Sequence, residues 1–257
     1  MKIHRSNLRL VVMLMTFSIA SSLLAGDREI GGYVDQAEDR FTRNVWNFIK
    51  NFQSWQTIGA HRWKYNQYFW AEPFEFLGSH ASFVDSMDFA YFSGHGNAYV
   101  FACHDATADV DLRNADGYGD LANAGDLEFI VFETCSTVAT APEFPSDWWS
   151  AWLRNSAGKH IFQGLHQAIG FRTLSVSDNG IPDNFADRLR GGQAIWQAWF
   201  DAVDDERSWW HSDVEDGVPY PGYASVILYP GLDNDSLGNY GGDPPFNHSS
   251  LYTYWQY

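Results

Sequence analysis

Two short stretches of the chain end on side chains that can do chemistry. "DFAYFSGHGN" (88–97) runs apolar and aromatic and stops on His95, with Gly94 and Gly96 on either side. "DLEFIVFETCST" (126–137) repeats that plan and stops on Cys135, forty positions after the histidine. A thiol and an imidazole brought into one cleft make a nucleophile and its proton-handling partner, because only the thiolate attacks well. Gly96 has no side chain, so a carbonyl oxygen could approach its backbone N–H; with the N–H of Cys135 it could form an oxyanion hole.

Those residues need elements to carry them. Both runs read as buried strands, by continuous apolar character and a polar or glycine stop. Around them, "REIGGYVD" reads as a first strand and "QAEDRFTRNVWNFIKNFQSW" as a helix, with Phe41, Val45, Trp46, Phe48, Ile49 and Phe52 at helical spacing. "HRWKYNQYFWAEPFEFLG" can hold another strand, and Pro145 with Ser146 can open a helix through "DWWSAWLRNSAGK". "HIFQGLHQAIGF" reads as a strand, "NFADRLRGGQAIWQAWFDAVDDE" as a helix with a glycine break, and "GYASVILYP" as a last strand. Alternating strands and helices predict an α/β fold, a three-layer sandwich in which helices cover both faces of a mostly parallel central sheet. In such sheets ligands bind at the carboxyl ends of the strands, where both His95 and Cys135 fall.

The pairing of "FAYFSGHG" with "FIVFETCST" resembles the caspase-like cysteine peptidases, the group of caspases, legumains, gingipains, clostripain and related uncharacterised secreted bacterial proteins. The "ETC" looks most like the Glu-Ala-Cys of legumains, and "FADRLRGGQAIWQAWFDAV" is similar to the helix-Gly-helix stretch of gingipain-like members. The resemblance covers roughly residues 85–230 at fold-family level. It implies an endopeptidase with Cys135 as nucleophile, His95 as general acid-base and Gly96 as an oxyanion donor. It also implies that Glu133 lines the pocket for the residue before the scissile bond, favouring Arg, Lys or Asn there. Arg172, just after the next strand, could instead pair with Glu133 and neutralise that pocket.

Composition narrows the partners. The chain has 257 residues, 45% of them hydrophobic, and a net charge of -16. That length fits one α/β domain, expected over 27–257. The acidic surface repels phosphate backbones and anionic membranes, which excludes nucleic acid and eases the approach of a cationic peptide or protein substrate. Residues 1–26 read as a secretory signal peptide: Lys2, Arg5 and Arg9 precede the apolar "LVVMLMTFSIASSLLA", and Ala25-Gly26 offers a cleavage point. A secreted or periplasmic protein is expected, with no membrane association after cleavage.

Three rival readings attach to the same residues. In an oxidising compartment the two cysteines, Cys103 and Cys135, could pair and block the nucleophile, giving either a redox-gated enzyme or an inactive peptidase fold. Exposed aromatics such as Trp148-Trp149, Trp209-Trp210 and the tail "LYTYWQY" would then bind peptide or carbohydrate. Asp105, Asp109, Asp111, Asp116 and Asp120 concentrate in one stretch, yet with Gly117 as sixth position a calcium loop would start at Leu112 and end at Asn123. His95, His104 and Asp105 have no zinc-peptidase spacing. No cofactor is expected, and calcium is considered only as a structural ion.

Overall fold

The computed structural model describes residues 26–119, 125–153, 161–177, 180–210, 214–215, 218–244 and 250–257. Of the expected leader, 1–26, residues 1–25 lie outside the described residues, and Gly26 is the first residue of the first strand.

One eight-stranded sheet organises the chain. Its strands are β1 (Gly26–Val34), β2 (Gln56–Ile58), β3 (His61–Trp70), β4 (Phe89–Ser93), β8 (Phe129–Glu133), β9 (Gln167–Phe171), β12 (Ala224–Leu228) and β13 (Tyr252–Trp255). The remaining short strands are β5 (Gly96–Asn97), β6 (Val100–Cys103) and β7 (Ala108–Asp111), which form a small antiparallel sheet, and the pair β10 (Val214–Glu215) and β11 (Val218–Pro219). The large sheet has the order β13-β12-β9-β8-β4-β1-β3-β2. The five central strands β3, β1, β4, β8 and β9 are parallel, while β2 and β12 join antiparallel at the two flanks and β13 runs antiparallel to β12. The fold is thus α/β with a mostly parallel central sheet. The last strand lies in the tail, not in "GYASVILYP": Tyr252–Trp255 pairs with β12 and closes that edge.

Strand alternation assigns each residue to a layer. Phe89, Tyr91, Phe129 and Val131 face the core under α1 (Asp39–Ile49), α3 (Gly180–Arg190) and α4 (Ile195–Trp210). Ala90, Phe92, Ile130 and Phe132 face the other core. Both sets are fully buried, which explains why the strands read as unbroken apolar runs. Phe48 of α1 stacks on Tyr91 at 4.3 Å and on Phe185 of α3 at 5.6 Å, so one ring joins sheet and two helices. Burying such a side chain contributes about 1.5–3 kcal/mol. A methyl group on Gly32 of β1 would come within 2.8 Å of Val45, so α1 lies directly on the strand. Trp46, one of the apolar residues read at helical spacing, points away from that core and is exposed.

The second face is covered differently from the first. It carries the short helix α2 (Pro73–Phe76), single 3-10 turns, the β5-β6-β7 sheet and a run of turns through 140–153. The helix expected to open at Pro145 is replaced by those turns over 145–153, and 154–160 lie outside the described residues. Pro142 and Pro145 withhold two backbone donors there, so hydrogen bonds such as Phe144 N–H to Thr140 O and Trp148 N–H to Phe144 O close isolated turns. The glycine break in "RLRGGQ" is real: Gly192 takes φ +81° between α3 and α4.

Candidate functional site

The carboxyl ends of β1, β4 and β8 build the site. Ser93 and Glu133 are partners in the parallel register, so His95 and Cys135 each lie two residues beyond a matched pair. The N–H of Asp35 reaches Ser93 O at 3.0 Å, and the N–H of Gly94 reaches Glu133 O at 3.4 Å, tying the three strand ends together. His95 and Cys135 line one pocket of about 340 Å³, together with Glu38, Gly96, Glu133 and Ser175. The juxtaposition expected of them is therefore present.

Each of the two side chains is held from a different quarter. His95 is 47% exposed, its Nε2 lies 2.9 Å from Glu38 Oε1, and its ring meets Phe41 edge-on at 4.9 Å. Glu38 is also gripped by Arg40, whose Nε is 2.7 Å from the second carboxylate oxygen. A carboxylate at Nε2 fixes the orientation of the imidazole and favours the proton on that nitrogen. The Cys135 Sγ lies 3.4 Å from both the carbonyl O and the N–H of Ser175, which follows β9. Ser136, the next residue, takes φ +56°, a left-handed conformation that a non-glycine residue adopts only when its surroundings impose it. Those surroundings are visible: Ser136 N–H donates to Thr173 O and Val138 N–H to Phe171 O.

Gly96 packs tightly against the same turn. A β-carbon there would lie 2.5 Å from Thr137 Oγ1, 2.7 Å from Thr134 Cβ and 2.9 Å from Cys135 O. The absent side chain thus has a packing role as well as the approach role expected from sequence. We predict that Gly96→Ala lowers stability by about 1–3 kcal/mol through overpacking, read as a shift of the urea midpoint at unchanged slope. A midpoint that stays put would show that the turn yields without cost.

Glu133 is buried at the pocket floor, where Asn44 Nδ2 of α1 donates to its Oε1 at 2.6 Å. Tyr91 lies beside it. Burial first, and then the Glu133 charge, holds the Tyr91 phenol well above its usual range. Arg172 corrects the sequence expectation: it does not meet Glu133 and does not line the pocket. Its guanidinium pairs with Glu143 and donates to Gln256 O at 2.9 Å. Alternation explains this, since Phe171 shares the helix-covered face with Val131 and Arg172 follows it onto the opposite face.

The disulfide expectation is also corrected. Both thiols are free; Cys103 is buried in the core beside β4 and β8, while Cys135 is partly open to the pocket. Burial pushes the Cys103 thiol far above its usual range. The exposed aromatics include Trp46, Trp70, Phe74, Trp149, Tyr252 and Tyr257, distributed over α1, β3, α2, the 140–153 turns and the C-terminal tail. Tyr252–Trp255, read from sequence as stacking surface, pairs as β13; the side chains of Trp209 and Trp210 lie outside the described ones.

The acids of 105–120 gather no ion-binding group among the described residues. Asp111 forks with Arg113, His104 pairs with Glu72 at 2.6 Å, and Asp120 lies outside the described residues. The described acids close enough to hold an ion are instead Asp88, Asp126 and Glu128, at the amino ends of β4 and β8, away from Cys135. Arg28 already brings a cation there, 2.8 Å from Asp88 and 3.8 Å from Glu128. Burial, with Asp126 acting in the same direction, pushes the Asp88 carboxyl up to about 7 against the pull of Arg28 and the Glu29 N–H. Among the described residues no helix is long and apolar enough to cross a membrane.

Sequence reasoning missed Glu38. It lies on the β1–α1 connection at the carboxyl edge of the sheet, so the rule that placed His95 and Cys135 there applies equally to "DQAED".

The site is therefore a thiol–imidazole–carboxylate cleft at the carboxyl edge of a mostly parallel α/β sheet. Residues 31–257 match the model of the family described as a domain of unknown function (DUF6345), and the chain belongs to that family. Among solved structures it is similar to a secreted C11 cysteine protease from Bacteroides thetaiotaomicron, determined with an irreversible peptide inhibitor. That likeness has 11% identity, covers 79% of this chain and 66% of the other, and has a TM-score of 0.42. No curated protein matches the chain.

Proposed function

We propose that this protein is an exported cysteine endopeptidase. The observation that carries the reading is that His95 and Cys135 line one pocket, with a carboxylate on the far nitrogen of the imidazole. In this reading Glu38 holds Nε2 and leaves Nδ1 to take the proton of Cys135. The Sγ atom attacks the peptide carbonyl, and the backbone N–H groups of Gly96 and Cys135 receive the developing oxyanion. The proton then passes from His95 to the departing amine, and water, deprotonated by His95, releases the acyl group. No cofactor enters any of these steps. Glu38 is matched by Arg40, so Glu133 is the carboxylate left to favour a basic or amide side chain before the scissile bond.

Thiol labelling tests this reading without a known substrate. Under native conditions iodoacetamide should modify Cys135 and spare Cys103, and denaturation should expose both, as intact mass and peptide mapping would show. A peptidyl-arginine chloromethyl ketone should label Cys135 in the unaltered chain and fail to do so in His95→Ala. Equal ketone labelling of the two proteins would sink the His95–Cys135 pairing.

A further inference from the structure

The pocket that holds Cys135 is not alone. On the other side of His95 and Gly96 lies a second cavity of about 610 Å³, walled by the β5-β6-β7 sheet and by Phe144. His95 and Gly96 line both cavities, so the two adjoin, with the imidazole as the saddle between them. A peptide whose scissile bond lies at that saddle would place its acyl part in the first cavity and its leaving part in the second.

The chemistry of the second cavity is definite. Asp109 of β7 is exposed at its wall, and it makes no ion pair among the described residues. The other charged wall residue, Arg113, is neutralised by a fork onto Asp111, with Nε–Oδ1 at 2.9 Å and Nη2–Oδ2 at 2.8 Å. Phe144 is 39% exposed and offers a ring against which an alkyl stem or a guanidinium can lie. One uncompensated carboxylate beside an aromatic face suits a long basic side chain and repels an acidic one.

We propose that the second cavity binds the residue just after the scissile bond and selects Lys or Arg there through Asp109 and Phe144. The inference rests on the peptidase reading and adds to it a requirement on the leaving side. Glu133 and Asp109 would then read two basic positions across one bond, so the preferred targets are dibasic segments of polypeptides.

The test uses internally quenched peptides with Arg before the bond and Lys, Leu or Asp after it. The full chain should cleave the Lys peptide about tenfold faster in kcat/KM than the Leu peptide, and the Asp peptide more slowly still. Asp109→Asn should bring the Lys-to-Leu ratio to about one, and Asp109→Lys should invert the order of Lys and Asp. The same three sequences with a reduced, uncleavable bond and a fluorescein label are titrated in parallel by anisotropy. Cleavage with no preference among the three, or a preference indifferent to Asp109, overturns this inference and leaves the peptidase reading intact. No cleavage, with Asp109-dependent tighter binding of the Lys peptide, keeps the second cavity as a basic-residue site and overturns the peptidase reading. Neither cleavage nor discrimination in binding overturns both.

Discussion

Cys135→Ser and His95→Ala are each expected to lower kcat/KM on basic peptide substrates by at least about a thousandfold, with the fold intact. The size follows from the roles. A serine hydroxyl keeps the shape but is a far weaker nucleophile beside an imidazole arranged for a thiol, and an alanine at 95 removes the one imidazole among the described residues that line that pocket. The fold should survive because His95 is half exposed and makes one edge contact, with Phe41, besides its pair with Glu38. Surface changes of that kind cost about 0.5 kcal/mol or less. Residues that act as one unit give strongly non-additive losses, so the double variant should be no worse than either single one. Glu38→Gln separates positioning from chemistry: it should cost about ten- to a hundredfold, less than loss of the ring, because the imidazole remains and only its orientation is released. Losses in the two single variants that multiply in the double would show that the two side chains act separately, and the pairing would fail.

Much of this geometry could be read from the residues. The strands β4 and β8 announced themselves because both faces are buried, so neither run is interrupted by a polar residue before its end. Their adjacency made His95 and Cys135 neighbours. Strand direction was less legible: β12 is buried along its whole length like β9, yet it runs antiparallel, since burial does not encode orientation. The covering of the second face was hidden for a related reason. Periodicity in "DWWSAWLR" suits a helix, but the prolines before it and the packing of Trp152 into that core hold turns instead. Arg172 was misassigned because its partners, Glu143 and the carbonyl of Gln256, lie 29 and 84 residues away along the chain. The Asp88, Asp126 and Glu128 cluster escaped notice for the same cause: its members lie just before two different strands and meet only through the register of β4 with β8.

Glu133→Gln is the second substitution with a large expected effect, and it tests specificity rather than the nucleophile. Glutamine keeps the volume and the Oε1 acceptor, so Asn44 can still donate and α1 stays tied to the end of β8. Only the charge is lost. A hydrogen bond to a charged partner in a buried site contributes about 1.5–3 kcal/mol, which corresponds to roughly ten- to a hundredfold. The variant should therefore lose about that factor in kcat/KM for Arg or Lys before the scissile bond. Substrates with Asn there should change little, because the glutamine can exchange hydrogen bonds with an amide. Arg172→Ala supplies the contrast: its guanidinium serves Glu143 and the C-terminal tail, so its loss should lower stability and leave the ratio of Arg to Asn cleavage where it was. Were the Arg-to-Asn ratio to shift in Arg172→Ala and not in Glu133→Gln, the carboxylate would be a tether for α1 and the specificity would come from elsewhere in the groove.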